Sequence, residues 1–306
     1  MSALSFSLRL SPMSSRATVA PVLLAVSVLL ISMVSYQCGA ALAKQLFPLV
    51  GAQGATAFRL GLGALILLLL RRPWRSSRQA SDWRALWGYG LSMGAMNLVF
   101  YMSLRTIPLG IAVALEFTGP LVLALFGSRR LLDFVWIALV VAGLALLLPL
   151  RGQVQTLDPV GVMYALAAGV GWALYIVFGQ KAGATYGADA VTLGTSIAAL
   201  VAIPFGVAHA GTALFSPALL PLALGVAVLS SALPYSLEMI ALTRLPARTF
   251  GTLLSIEPAV AAVAGVVFLG EHLSVLQWLA IVAIIVAAAG TALSVRRALV
   301  SEPLAN

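Results

Sequence analysis

TAFRLGLGALILLLLRR, residues 56–72, decides how this chain folds. From Leu60 to Leu70 it carries no charge, it stops at the basic pair Arg71-Arg72, and it holds a lone arginine, Arg59. A bilayer core needs roughly 20 apolar residues per helical crossing, and only helices or closed barrels satisfy every backbone polar group there. Continuous apolarity, as also in FVWIALVVAGLALLLPL (134–150), favours helices over alternating barrel strands. Working outward, the same reading predicts ten spans: 20–42, 51–70, 85–104, 107–127, 134–150, 159–179, 188–208, 217–241, 246–268 and 275–295. The fold class is therefore all-α integral membrane.

Composition agrees, with 61% hydrophobic residues, 9% charged residues and a mean hydropathy of +1.06. The longest connection is Arg71–Arg84, so there is no room for a soluble catalytic, regulatory or nucleic-acid-binding domain. The net charge of +9 could point to an anionic partner, but it is distributed by side. With both termini in the cytoplasm, 14 basic residues fall there: Arg9, Arg16, Arg71, Arg72, Arg75, Arg78, Arg84, Arg129, Arg130, Lys181, Arg244, Arg248, Arg296 and Arg297. Only Lys44, Arg105 and Arg151 fall opposite. By the positive-inside rule both termini, 1–19 and 296–306, are expected to be cytoplasmic tails. The basic balance reads as membrane topology rather than nucleic-acid binding.

The first span also resembles a cleavable secretory signal, since a basic start and an apolar run precede Ala41-Leu42-Ala43. An internal repeat argues for keeping it. Pro21, Pro108 and Pro120 recur as Pro159, Pro246 and Pro258 at one spacing of 138, and Phe126, Leu131 and Trp136 recur as Phe268, Leu273 and Trp278 at 142. Each half, 20–150 and 159–295, then holds five spans. Because five is odd, the second half enters from the opposite side, the inverted-repeat arrangement of many secondary transporters. The single cysteine, Cys38, excludes an internal disulfide and reads as a small hydrophobe.

A repeat alone leaves a channel, a scaffold or a membrane enzyme open, and charges inside the spans narrow the choice. A charge near the bilayer centre costs at least about 2.5–3.5 kcal/mol on insertion scales, so such residues face a cavity or a partner. Arg59, Glu116 and Glu257 lie midway along their predicted spans, and Glu238 lies near one end of its own. Arg59 could pair with one glutamate for packing alone. One cation cannot neutralise three carboxylates, so at least one is expected to be protonated or to face water, which suits proton coupling or a substrate ammonium. On the third span Gly90, Gly94, Asn97 and Tyr101 share one helical face, the glycines for packing and Asn97 and Tyr101 for interhelical bonding or substrate. Similar faces occur at Ser32/Tyr36/Gly39, Trp172/Tyr175/Gly179 and Ser231/Tyr235/Glu238. Asp82, Asp133, Asp158 and Asp189 fall in loops or at span edges, and His209 and His272 near span ends. They offer no intramembrane acid pair, metal set, cofactor site or nucleophile with its base, which argues against an enzyme.

The stretches AKQLFPLVGAQGATAFRLGLGALIL (43–67), IPLGIAVALEFTGPL (107–121) and YSLEMIALTRLPARTFGTLLSIEPAVAAVAGVVFLGE (235–271) resemble the threonine and homoserine exporters of the EamA branch of the drug/metabolite transporter superfamily. The resemblance runs from about residue 20 to 297. It implies a ten-helix, two-repeat carrier in a bacterial inner membrane that exports small hydroxylated amino acids against protons. Phe268-Leu269-Gly270-Glu271 keeps the repeat-ending pattern of that family, whereas the first half has Phe126-Gly127-Ser128-Arg129. A zwitterionic amino acid needs donors for its carboxylate, an anionic or aromatic partner for its ammonium and a polar contact for its hydroxyl. The expected substrate residues are Arg59, for the carboxylate or for holding a glutamate, Glu116 and Glu257 for the ammonium, Asn97 with Tyr101 for the hydroxyl, and Trp172 and Tyr235 as walls. Proton coupling is expected at Glu116, Glu257 and Glu238. Another amino acid or a cationic drug as substrate, and a membrane scaffold, stay open.

Overall fold

The computed structural model describes residues 16–75, 83–126, 157–244 and 253–301, with scattered residues between 135 and 146. All secondary structure among them is helical. The first half contributes α1 (Arg16–Lys44), α2 (Phe47–Arg71), α3 (Trp83–Ser103) and α4 (Leu109–Phe126). The second contributes α5 (Pro159–Tyr186), α6 (Asp189–Ala210), α7 (Leu220–Ala227), α8 (Leu233–Arg244), α9 (Glu257–Leu269) and α10 (Val275–Ser301). The fifth predicted span, 134–150, and the start of the ninth lie largely outside the described residues.

Five helical stretches are long and apolar enough to cross a membrane: Val26–Lys44, Phe47–Arg75, Pro159–Tyr186, Asp189–Phe215 and Pro217–Glu238. Leu109–Leu123, Glu257–Leu269 and Val275–Ala287 are shorter apolar helices. Large apolar side chains such as Leu69, Leu70, Val170, Leu200 and Val267 are exposed on their outer faces, as lipid contact requires.

Local chemistry sets the boundaries. Asp158 caps α5 by accepting from the N–H groups of Val160 and Gly161, each at 3.2 Å, ahead of Pro159 at the first helical position. Its carboxyl is held below the ordinary aspartate value, chiefly by the Thr106 hydroxyl and then by these amides. The sixth predicted span stops at 179, yet α5 runs on through Gly179 and Gly183 to Tyr186 and ends at Gly187, at φ 59°. The eighth predicted span is one continuous helical stretch but not a uniform α-helix. It is α7, a π-helical turn over Val228–Ala232 and α8, with Pro234 just inside α8. The ninth also departs from expectation: a turn at Ser255–Ile256 precedes α9, so Glu257 stands in the first turn of a helix rather than midway along one. Pro258 fits this place, since its missing N–H costs nothing in the first turn of a helix, where no intrahelical acceptor is available.

Packing pairs the halves. The main contacts are α2 with α6, α3 with α5 and α6, α4 with α5 and α9, and α1 with α8 and α9. In lipid no hydrophobic effect drives helices together, so small residues that permit close approach do. Gly90 shows this on α3: a methyl group there would overlap the Ile197 side chain of α6. Its buried neighbours Gly94, Ala198 and Ala202 continue the same seam.

Candidate functional site

The site begins with a proline. Pro234 has no N–H, so the carbonyl of Ser230, one turn earlier, loses its helical donor. The preceding π turn likewise bonds Leu233 N to the Val228 carbonyl and bypasses Leu229. Three side chains from the first half take up carbonyls in this segment. Ser35 Oγ donates to Leu229 O at 2.8 Å, Ser32 Oγ to Pro234 O at 2.9 Å, and Arg59 to Ser230 O from Nη2 at 2.8 Å and from Nε at 3.2 Å.

Arg59 is the largest fully buried side chain among the described residues. Besides Ser230 O, it donates from Nε to Ser231 Oγ at 3.1 Å, from Nη2 to Tyr235 OH at 3.3 Å, and from Nη1 to Asn97 Oδ1. Asn97 is fixed in turn by donating from Nδ2 to Met93 O at 2.8 Å. The guanidinium carbon lies 4.6 Å from the Tyr36 ring centroid and 5.3 Å from that of Tyr101. Arg59 thus neutralises its burial with carbonyl, amide, hydroxyl and aromatic-face partners, and no hydrogen bond to a glutamate is among them.

In front of this knot lies a cavity of about 50 Å³. Helix α1 supplies Ser32, Tyr36 and Gln37, α4 supplies Val113 and Glu116, α5 supplies Trp172 and Tyr175, and α8 supplies Tyr235 and Glu238. Met96 of α3 and Leu254 with Glu257 at the start of α9 complete the polar and apolar walls. Glu116 and Glu257 are 4% and 8% exposed. No lining side chain is basic, and the ion pair formed among the described residues lies elsewhere. Trp172 stands edge-on to Phe117 with centroids 5.4 Å apart, and the Tyr89 hydroxyl donates to Tyr175 OH at 3.4 Å, so both aromatic walls are braced from behind. Gln37 Nε2 donates to Glu257 Oε1 at 3.1 Å.

One end of the bundle is tied separately. Lys44 at the end of α1 donates to Glu271 Oε1 at 2.8 Å, and the other carboxylate oxygen, Oε2, accepts from Leu109 N at 2.8 Å, at the start of α4. Gly270, at φ 62°, turns the chain after α9, and Gly265 leaves the space that Glu271 fills, since a methyl group there would overlap its carboxylate.

Among the residues named from sequence, Glu116, Trp172, Tyr235, Glu238 and Glu257 converge on the cavity. Arg59, Asn97 and Tyr101 do not line it; they form the knot behind Tyr36 and Tyr235, and the Tyr101 hydroxyl has no hydrogen-bond partner among the described residues. Sequence reasoning placed Tyr36 and Tyr175 on polar faces without giving either a role, and it missed Gln37. The signal for Gln37 was an amide one residue past Tyr36, inside the first predicted span.

The threonine/homoserine exporter RhtA of Escherichia coli K12 is 57% identical over 277 residues, covering 90% of this chain and 94% of its own. The protein of the same name in Salmonella typhimurium LT2 matches to the same extent. An uncharacterized transporter of Synechocystis is 34% identical over 128 residues, covering 37% of this chain and 38% of its own. A solved crystal structure with 20% sequence identity superposes with a TM-score of 0.57, covering 89% of this chain and 98% of its own, and supports the fold alone. Residues 159–293 match the EamA-like transporter family. With one half matching that family and nearly the whole length shared with the exporters, the chain belongs to the EamA-like transporter family.

Proposed function

We propose that the chain exports threonine and homoserine across a bacterial inner membrane by proton antiport with alternating access. The observation that carries this reading is the convergence of Glu116, Glu238 and Glu257, from three helices, on one cavity without a basic lining residue. The name of the relatives that share 90% of the chain supplies the substrate class. Ten spans in two inverted repeats, 20–150 and 159–295, with both termini cytoplasmic, provide the frame.

Carboxylates in a low-dielectric cavity whose lining holds no basic residue favour a bound cation, and a proton and a substrate ammonium compete for that place. Loading from the cytoplasm puts the ammonium of the amino acid at Glu116 and Glu257 and displaces a proton. Arrival of a proton from the far side releases it. Because the two cations exclude each other, exchange is obligatory, and the carrier changes face only when one of them neutralises the site. Glu238 extends the acidic path toward the cytoplasmic end. Trp172 and Tyr235 wall the substrate, while Arg59, behind Tyr36 and Tyr235, biases that wall toward the substrate carboxylate. Two features favour the repeat. The α2–α6 and α4–α9 contacts each pair a helix with its expected counterpart, and Asn97 and Tyr235, 138 residues apart, both hold Arg59.

The test is accumulation of labelled threonine and homoserine in everted membrane vesicles with and without an imposed proton gradient. Gradient-dependent accumulation above vesicles lacking the protein is expected. Equal accumulation with and without the gradient removes proton coupling, and none at all removes the substrate assignment.

A further inference from the structure

Resting on that reading, we propose that Gln37 is the residue that recognises the side-chain hydroxyl of the exported amino acid. Gln37 is fully buried, yet it lines the cavity beside Glu257. Its amide orientation follows from its neighbour. A carboxylate only accepts, so the NH₂ end faces Glu257 Oε1 at 3.1 Å and the carbonyl end faces away. That carbonyl oxygen has no hydrogen-bond partner among the described residues.

Ser32 and Ser35, also on α1, differ, because each donates to a carbonyl of the α7–α8 segment. A buried acceptor left unpaired is destabilising, and Gln37 lines the cavity, so a donor carried in by the substrate would relieve that cost. The substrate brings two kinds of donor. Its ammonium is matched by carboxylates, since charge-assisted hydrogen bonds are roughly twice as strong as neutral ones. The neutral carbonyl of Gln37 is left for the neutral hydroxyl. Asn97 and Tyr101, the side chains first expected to serve it, stand outside the cavity lining, and both polar ends of Asn97 are engaged by Arg59 and Met93. A site built around a substrate hydroxyl rejects an analogue lacking it, because its own polar atom is then stranded.

One compound tests this, since 2-aminobutyrate is threonine without its 3-hydroxyl and also homoserine without its 4-hydroxyl. Everted vesicles carrying wild type should accumulate labelled threonine and homoserine at least about tenfold better than labelled 2-aminobutyrate. In Gln37→Met, which keeps the length and removes the oxygen, that preference should fall to near unity, because threonine and homoserine uptake per folded molecule falls much further than 2-aminobutyrate uptake. Gln37→Leu serves where the Met variant does not insert. Retention of the wild-type preference in a folded variant overturns the proposal. So does an equal loss for all three compounds, which would leave Gln37 only as a support for Glu257. Wild-type vesicles that accumulate none of the three overturn the export reading itself, so the two failures are distinguishable.

Discussion

At Arg59 one planar guanidinium reaches acceptors on two other segments at once: Asn97 on α3, and Ser230, Ser231 and Tyr235 along the π turn and α8. Lysine is a point charge on a flexible stem and cannot span them. Arg59→Lys should therefore strand at least one buried acceptor, at a cost of about 1–3 kcal/mol. The expected result is a lower thermal midpoint for the detergent-solubilised protein together with weakened export. Since no glutamate hydrogen-bonds to Arg59, pairing Arg59→Gln with Glu116→Gln or Glu257→Gln should not restore that midpoint, and recovery would mean the arginine is a glutamate counter-ion after all. For the glutamates themselves, Gln keeps the shape but removes the charge that meets the ammonium. Threonine export in Glu116→Gln and in Glu257→Gln should drop about tenfold or more at normal membrane abundance. The glutamates were legible from sequence because a charge in an apolar run is costly and so conspicuous. Gln37 and Tyr36 carry no such cost signal, and the helical rhythm that picked out Asn97 and Tyr101 fixes a face without naming what packs against it.

At the scale of elements, the prolines and the charged tie at Glu271 decide more than hydropathy does. A continuous apolar run says that 217–241 is a span, but not that a π turn and Pro234 free the carbonyls Arg59 and Ser35 use. The same holds at Pro258, which stands with Glu257 in the first turn of α9. Glu271 does two jobs, pairing with Lys44 and accepting from Leu109 N, where the positive end of the α4 dipole also favours an anion. The pair is only 23% and 12% exposed, so desolvation offsets much of its Coulomb attraction. The cap contributes about 1 kcal/mol. Exchanging the charges, Lys44→Glu with Glu271→Lys, should then fail to recover the thermal midpoint lost in Glu271→Ala, because neither lysine nor alanine can accept from Leu109 N. Gly265→Ala, which forces the carboxylate out of its place, should lower the midpoint at least as far as Glu271→Ala. Full recovery by the exchanged pair would reduce Glu271 to a simple ion-pair partner.

For the whole molecule, the all-helical membrane architecture follows from the composition and the apolar runs, because a bilayer allows few alternatives. The cavity does not follow from them, since it needs helices of both halves brought together, and only a spacing of 138 between prolines hinted at which helices correspond. Topology is checked by reporters fused after Arg84, Arg297 and Leu46: the first two should read cytoplasmic and the third external, and a reversed or mixed pattern would refute the assigned spans. The central claim is that substrate and proton compete for the same carboxylates. Its most direct measurement is proton flux in respiring everted vesicles whose acidic lumen quenches an acridine dye. Adding threonine or homoserine at the outer, cytoplasmic face should release protons and restore fluorescence for the wild type, and should do so little or not at all for Glu116→Gln and Glu257→Gln. Threonine accumulation without any fluorescence recovery, or full recovery in both variants, would contradict the account.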